Sequence, residues 1–121
     1  MSQLPFGFSS VIDFGVPNEE QALNKEYIRK FIIDLISVID MQIYDNHLYV
    51  EKWAAKNAPE TFGVSAICFL TTSSLSLHTT EEGKIMIDLF SCKDYQLDPI
   101  KAIIRDYFGK VEWFLVNKMC R

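Results

Sequence analysis

The sequence predicts an α+β fold: a mostly antiparallel β-sheet in a two-layer arrangement, with two helices on one face of the sheet. Two observations predict it. Two segments repeat apolar residues at helical spacing, and shorter segments of strand-like composition surround them in the order βαββββαβ. The chain has 121 residues, of which 49% are hydrophobic, so we expect residues 1–121 to form a single domain.

The first helix is predicted directly after the first strand. Residues 6–14 are apolar and rich in β-formers, and the Gly-Val-Pro segment at residues 15–17 ends them. Asn18 can cap a helix, and Glu19 and Glu20 suit the positive end of its dipole. The apolar stripe that follows consists of Ile28, Phe31, Ile32, Leu35, Ile36 and Ile39. This spacing predicts a helix with one buried face.

Four strands are predicted in the middle of the chain. Residues 42–53 form the first, with a turn or bulge at Asp45 and Asn46, and residues 54–61 are expected to be a loop. Three short strands follow at residues 64–71, 75–80 and 84–92. The Glu-Glu-Gly segment at residues 81–83 is suited to a tight turn between the last two strands.

The last part of the chain predicts a second helix and a final strand. The Asp-Pro pair at residues 98–99 is a helix start signal, and Gly109 ends the helix. Its apolar stripe consists of Ile100, Ile103, Ile104, Tyr107 and Phe108. Residues 111–116 follow as a strand, and residues 113–116 are consecutive apolar residues, as is typical of a strand buried on both faces.

Two helices on one face leave the other face of the sheet without cover. A chain this short can bury both faces of its sheet most easily by pairing with a second copy. We therefore expect a homodimer in which two sheets pack face to face, an αββα sandwich.

Composition excludes several classes of protein. The net charge of −4, without a basic stripe, argues against nucleic acid as a partner. No apolar run reaches the ~20 residues that span a bilayer, and no signal-like segment is visible, so the expected location is the cytoplasm and not a membrane. Three cysteines without a close pair, and two histidines, give little support to a disulfide framework or a metal site.

Three chemically active side chains follow one another in the predicted sheet: Ser73, His78 and Cys92. They offer a hydroxyl nucleophile, a titratable imidazole and a thiol. Strand alternation puts His78 on a polar face, and it puts Cys92 beside Met86 and Phe90, where burial would raise the pKa of the thiol and suit it to donate a proton. Taken singly, each residue also fits a structural role in a strand.

The spacing of these residues resembles that of the prokaryotic-type S-adenosylmethionine decarboxylase proenzymes, of which the chain looks like a divergent member. The matching segments are Gly63-Val64-Ser65, Ser73, His78-Thr79, and Asp88-Leu89-Phe90-Ser91-Cys92. The resemblance implies that the chain cleaves itself between Thr72 and Ser73, giving a β chain of residues 1–72 and an α chain of residues 73–121. It also implies a carboxy-lyase for polyamine (spermidine) biosynthesis and the sheet-on-sheet dimer.

The resemblance assigns a role to each matching residue. Ser73 would become a pyruvoyl group, which forms a Schiff base with an amino-acid-type substrate and does the work that PLP does elsewhere, without PLP or metal. His78 would assist the chain cleavage, and Cys92 would reprotonate the decarboxylated carbon. The weaker substrate-binding candidates are Ser65, Glu81 and Asp88.

The chain departs from the family pattern around these residues, and the departures leave alternatives open. Thr72 stands where the family has Glu, and Ser74 where it has His. Thr80 replaces a Trp-Pro pair, and Pro59 stands where an aromatic residue would help to hold adenine. One alternative is the same chemistry on another amino acid, such as arginine or ornithine. The other is a homologue that does not cleave itself and instead regulates an active relative.

Overall fold

The structure, a computed structural model, describes residues 6–121; residues 1–5, which the predicted domain includes, lie outside the described residues. This part of the chain contains three helices and one six-stranded sheet. The elements are β1 (Phe8–Gly15), α1 (Glu19–Ala22), α2 (Lys25–Val38), β2 (Ile43–Ala55), β3 (Ala58–Leu70), β4 (Ser73–Thr79), β5 (Lys84–Ser91), α3 (Leu97–Phe108) and β6 (Glu112–Cys120). The strand order is β2-β3-β4-β5-β1-β6, and every neighbouring pair is antiparallel. The predicted fold class is confirmed.

The core lies between the helices and one face of the sheet, which we call the helix face. Alternate residues of the central strands point into it, as in the buried positions of β4 and β5. The helices contribute large side chains, and the Phe31 and Phe108 rings meet edge to face at 4.9 Å between centroids. On the opposite side of the sheet, the open face, residues 6–121 place no helix, and the strand residues of the other parity lie there.

The first predicted helix is two helices in the structure. Asn18 caps α1 as expected, because its side chain accepts a hydrogen bond from the backbone N–H of Glu20. Asn24 then caps α2 in the same way through the N–H of Tyr27. The chain therefore restarts at Asn24, and only α2 carries the apolar stripe that was recognised in the sequence.

The predicted loop at residues 54–61 is wrong, because these residues form the end of the β2–β3 hairpin. Ala54 pairs with Phe62 and Ala55 pairs with Ala58. The expected irregularity in β2 is confirmed: Asp45 and Asn46 both have positive φ, and the β2–β3 register shifts between Ile43 and Leu48.

The second helix and its flanking strands agree with the sequence to within a few residues. Gly109, with φ of 78°, ends α3 as predicted. In contrast, β6 is an edge strand, and Phe114 and Leu115 are 50% and 47% exposed in the single chain. The expectation that this strand is buried on both faces is therefore wrong for one copy of the chain, since half of each of these side chains still meets solvent.

The described helices are also too short or too polar to cross a membrane. The longest is α2 with 14 residues.

Candidate functional site

A hydrogen-bonded group of three side chains lies on the open face near the β4–β5 turn. Ser65 on β3 and His78 on β4 are directly paired across the two strands, and Ser65 Oγ lies 2.9 Å from His78 Nδ1. The indole N–H of Trp53 donates to Ser65 Oγ at 2.9 Å. The indole occupies one lone pair of that oxygen, so the Ser65 hydroxyl can donate its hydrogen to Nδ1 or accept from Nδ1–H with its other lone pair, according to the imidazole tautomer, and either bond orients the ring. His78 itself is exposed on the open face, as its strand parity predicted.

A second group lies at the other end of β4, around the peptide bond between Thr72 and Ser73. The backbone N–H of Cys92 donates to the carbonyl oxygen of Thr72 at 3.3 Å. Ser73 pairs with Ser91 across β4 and β5, and its hydroxyl donates to Ser91 Oγ at 2.8 Å. A donor on the Thr72 carbonyl polarises it toward attack, in the way an oxyanion hole does. The structure thus brings Thr72, Ser73 and Cys92 together.

The two groups are not brought together within one chain. Ser73 and His78 are five residues apart on the same strand, which separates them by about 16 Å at a strand rise of ~3.3 Å per residue. Ser73 also belongs to the helix-face parity and His78 to the open-face parity. His78 therefore cannot contact the Ser73 hydroxyl of its own chain in this structure.

Cys92 differs from its predicted setting. The side chain was expected to be buried beside Met86 and Phe90, but β5 ends at Ser91 and Cys92 is exposed. The burial of Cys92 was predicted from the alternation of side chains along a strand, and this alternation ends at Ser91 together with β5. The buried thiol of the protein is Cys68, whose pKa burial raises to about 11, so that at neutral pH it is protonated and inert.

Asp88 lies on the open face between the two groups. It is exposed, pairs with Ser76 on β4, and contributes to the lining of an open cleft of ≈ 340 Å³ together with Ser74 and Phe90. Burial raises the pKa of nearby Asp13, and the Asp88 carboxylate raises it further. Asp88 therefore places negative charge on this part of the open face, where Arg121 also lines the cleft.

Glu81, the third weak candidate, lies in the β4–β5 turn at the His78 end of β4 and is partly exposed. Ser65, Glu81 and His78 thus share one end of the sheet. Asp88 lies closer to the Ser73 end than they do.

A small cleft of ≈ 240 Å³ opens at the Thr72–Ser73 bond, lined by both residues and by Lys93. The Lys93 ammonium is held at its rim by Asp40, through the backbone carbonyl and the carboxylate, each at 3.1 Å. The bond is therefore accessible from this side. The hydroxyl, the polarised carbonyl and the adjoining space fit the chemistry by which a serine becomes a pyruvoyl group.

Sequence analysis missed two residues of these groups, Trp53 and Ser91. Trp53 lay at the end of a strand whose register was unknown, although its alternation with Tyr49 already put both on one face. Ser91 was seen only as a spacer within the segment that ends in Cys92. Its cross-strand pairing with Ser73 depends on the length of the β4–β5 turn. Counting residues outward from that turn would have identified Ser91 as the partner of Ser73.

Comparisons with known proteins identify the family of the chain. The family model of S-adenosylmethionine decarboxylase matches residues 9–119. The chain therefore belongs to the S-adenosylmethionine decarboxylase family. Among residues 6–121, no three His, Cys, Asp or Glu side chains are grouped so that they could hold a metal ion.

The fold is also similar to a solved structure, the adenosylmethionine decarboxylase from Aquifex aeolicus VF5. The TM-score is 0.68 at 15% sequence identity, and the match covers 98% of this chain and 91% of that one. At this identity the likeness concerns the fold alone. No curated protein matches the chain.

Proposed function

We propose that the protein is a pyruvoyl-dependent decarboxylase of S-adenosylmethionine that acts in polyamine synthesis and forms by cleavage of its own chain between Thr72 and Ser73. The observation that carries the proposal is the hydrogen bond from the Cys92 N–H to the Thr72 carbonyl, directly beside the Ser73 hydroxyl. In a chain of this family, that is the arrangement that an acyl shift from nitrogen to oxygen requires.

The cleavage begins when Ser73 Oγ attacks the carbonyl carbon of Thr72. The C–N bond breaks, a C–O bond to Oγ forms, and the hydroxyl proton passes to the nitrogen of Ser73, so the amide becomes an ester. Removal of the Ser73 α-proton then expels the Thr72 carboxylate, and hydrolysis releases ammonia. The residue left at position 73 is a pyruvoyl group, whose ketone supplies an electron sink when carbon dioxide leaves a bound amino acid.

We propose that His78 assists this cleavage from a second copy of the chain. The separation within one chain is too large for direct contact. The Ser73 side chain has the helix-face parity, but the Thr72–Ser73 bond lies at the end of β4, next to Ser74, which lines the cleft on the open face. Two sheets packed face to face about a two-fold axis that crosses the strands near Ser76 would bring the Ser73 end of one copy over the His78 end of the other. The half-exposed apolar side chains of β3 and β6, Ile67, Phe69, Leu115 and Met119, support such a contact.

A homodimer is therefore part of the proposal. Light scattering should report about 28 kDa, twice the chain mass of 14.0 kDa. A matched charge substitution on the open face, Ile67→Asp, should give the monomer, whereas Ile33→Asp on the exposed side of α2 should leave the dimer intact. A wild-type monomer at micromolar concentration would contradict the composite site.

Four further residues would act on the substrate after cleavage: Cys92, Asp88, Ser65 and Glu81. Cys92 is exposed beside residue 73, where its thiol can return a proton to the substrate carbon. Asp88 offers a carboxylate in the open cleft, and S-adenosylmethionine carries positive charge on both its sulfonium and its amine. Ser65 and Glu81 lie with His78 and would reach the substrate from the second copy.

The experiment is decarboxylation by cleaved protein without added PLP or metal, followed as carbon dioxide released from carboxyl-labelled substrate. S-adenosylmethionine should be turned over, and borohydride reduction in its presence should attach the substrate or its decarboxylated product to fragment 73–121 as a secondary amine, with loss of the ketone oxygen as water. Arginine and ornithine are tested in parallel, and turnover of one of them alone would change the substrate and keep the chemistry. Failure of all three on a cleaved, folded sample would contradict the decarboxylase, and would favour the noncatalytic homologue.

A further inference from the structure

The proposed cleavage mechanism assigns no role to Ser91, the residue that pairs with Ser73. Its side chain is 0% exposed, although it is polar and lies at the end of a strand. Its oxygen accepts two hydrogen bonds, one from the Ser73 hydroxyl at 2.8 Å and one from the backbone N–H of Lys93 at 3.0 Å. A buried hydroxyl is kept only where it is hydrogen-bonded, and here its partner is the proposed nucleophile.

The direction of these hydrogen bonds matters for the nucleophile. Two donors occupy the two lone pairs of Ser91 Oγ, so the bond to Ser73 runs from the Ser73 hydroxyl to Ser91. The hydrogen of Ser73 is then directed at Ser91, and both lone pairs of Ser73 Oγ are left for attack. The Lys93 N–H fixes Ser91 in turn, because it ties the side chain to the backbone two residues further along.

The other reacting group is held by the same stretch of chain. The Cys92 N–H binds the Thr72 carbonyl, and Ser91 and Lys93 flank Cys92 on either side. Residues 91–93 therefore hold both the hydroxyl and the carbonyl of the bond to be cleaved. A nucleophile needs its rotamer fixed as well as its distance, and the loss of such orientation costs up to about 10²-fold in rate.

We propose that Ser91 is a positioning residue for the cleavage of the chain, which directs the Ser73 hydroxyl so that its lone pairs face the Thr72 carbonyl carbon. This inference rests on the proposed function, since it concerns the same bond. It adds a residue that acts through Ser73 and touches neither the carbonyl nor the substrate.

The test is the rate of chain cleavage in a pair of variants that differ only in the hydroxyl. Ser91→Thr and Ser91→Val have side chains of nearly equal volume and shape, so any effect of packing is shared. Refolded full-length chains are followed by intact mass over time. Ser91→Thr should cleave within about threefold of the wild type, and Ser91→Val should be slower than Ser91→Thr by between about tenfold and a hundredfold.

A second measurement separates positioning from loss of stability. Hydroxylamine cuts esters, so it reports the ester between the Thr72 carbonyl and Ser73 Oγ, and the fraction cut should fall in Ser91→Val and be restored in Ser91→Thr. Ser10→Ala removes another buried hydroxyl, one that lies 2.5 Å from the Tyr95 hydroxyl, and it should lower stability without slowing cleavage. Thermal unfolding of each variant is recorded alongside.

The outcomes distinguish this inference from the function on which it rests. Cleavage of Ser91→Thr and Ser91→Val at equal rates, in a protein whose wild type cleaves, would overturn the role of Ser91 and leave the proposed function standing. A wild type that never cleaves would overturn both. If both variants fail to fold, Ser91→Ala in the otherwise wild-type chain takes their place and is compared with Ser10→Ala: it should cleave at least about tenfold more slowly than Ser10→Ala, and equal rates would overturn the role of Ser91.

Discussion

The separation of Ser73 from His78 leads to a prediction about mixtures of two inactive variants. A Ser73→Ala chain keeps His78 but has no nucleophile, and a His78→Ala chain keeps Ser73 but has no imidazole. If the imidazole acts across the dimer, each variant alone should stay whole over the time in which the wild type cleaves, whereas a mixed dimer contains one complete site. In that site the His78→Ala chain supplies Ser73 and the Ser73→Ala chain supplies His78.

The expected amount of cleavage follows from how the chains pair. Equal quantities of two variants that are unfolded together and refolded should pair at random, so about half of the His78→Ala chains find a Ser73→Ala partner. About half of the His78→Ala chains should therefore be cut, and none of the Ser73→Ala chains. His78→Ala by itself should cleave more slowly than the wild type by about 10²–10⁴-fold, the usual worth of a general acid or base.

The assay is intact mass spectrometry of the mixture, in which the two variants differ in mass and can be counted separately. His47→Ala is the matched control, because His47 lies on the edge strand β2, bonds to the Tyr49 hydroxyl and belongs to neither hydrogen-bonded group, and this variant should cleave at the wild-type rate. Rapid cleavage of His78→Ala alone would refute a role for His78. An uncut mixture, beside a wild type that cleaves, would refute the action of His78 across the dimer.

Three further predictions concern single substitutions. Cys92→Ala should still cleave its chain, because the backbone N–H of residue 92 still donates to the Thr72 carbonyl. Its decarboxylase turnover, measured as carbon dioxide release, should fall by about 10²-fold or more. Turnover equal to that of the wild type would count against Cys92 as the proton donor. Gly63→Ala should destabilise the protein by about 2–4 kcal/mol in urea unfolding, because an added Cβ would lie 2.1 Å from the Thr79 carbonyl oxygen; an unchanged midpoint would contradict this packing. The pKa of Asp13 is raised from 3.8 in the folded protein by burial and by Asp88, so its contribution to stability falls as pH rises through the folded pKa. Asp13→Asn should therefore stabilise the protein at pH 7 by about 0.5 kcal/mol and lose this effect below about pH 4, and a Tm difference that is the same at both pH values would argue against the charge effect.

The fold could be predicted from the sequence wherever periodicity and end signals agree. The stripe of α2, the Gly109 end of α3 and the turn at Gly83 are examples, and each depends only on neighbours in the sequence. The break before α2 was missed because Asn24 is a second cap within a continuous helical pattern. The end of the β2–β3 hairpin was missed because residues 54–61, rich in alanine and polar residues, lack strand-forming side chains and are held by cross-strand pairing.

The candidate site, like the fold, could be predicted from the sequence only in part. The order of Ser73, His78 and Cys92 in the sequence indicated the chemistry, but it does not say which of them meet. The pairing of Ser65 with His78, and of Ser73 with Ser91, is set by the register of three strands, and one residue of slip would exchange the faces. The exposure of Cys92 was missed for a related reason, because alternation holds only as far as Ser91, where β5 ends.

The mass of the purified chain tests the central claim most directly. We predict that the protein of 14.0 kDa separates under denaturing conditions into residues 1–72 and residues 73–121, with the second fragment blocked at its N-terminus. Ser73→Ala should remain whole, and the neighbouring Ser74→Ala should be cut. A folded wild-type chain that stays at 14.0 kDa after long incubation would contradict the account.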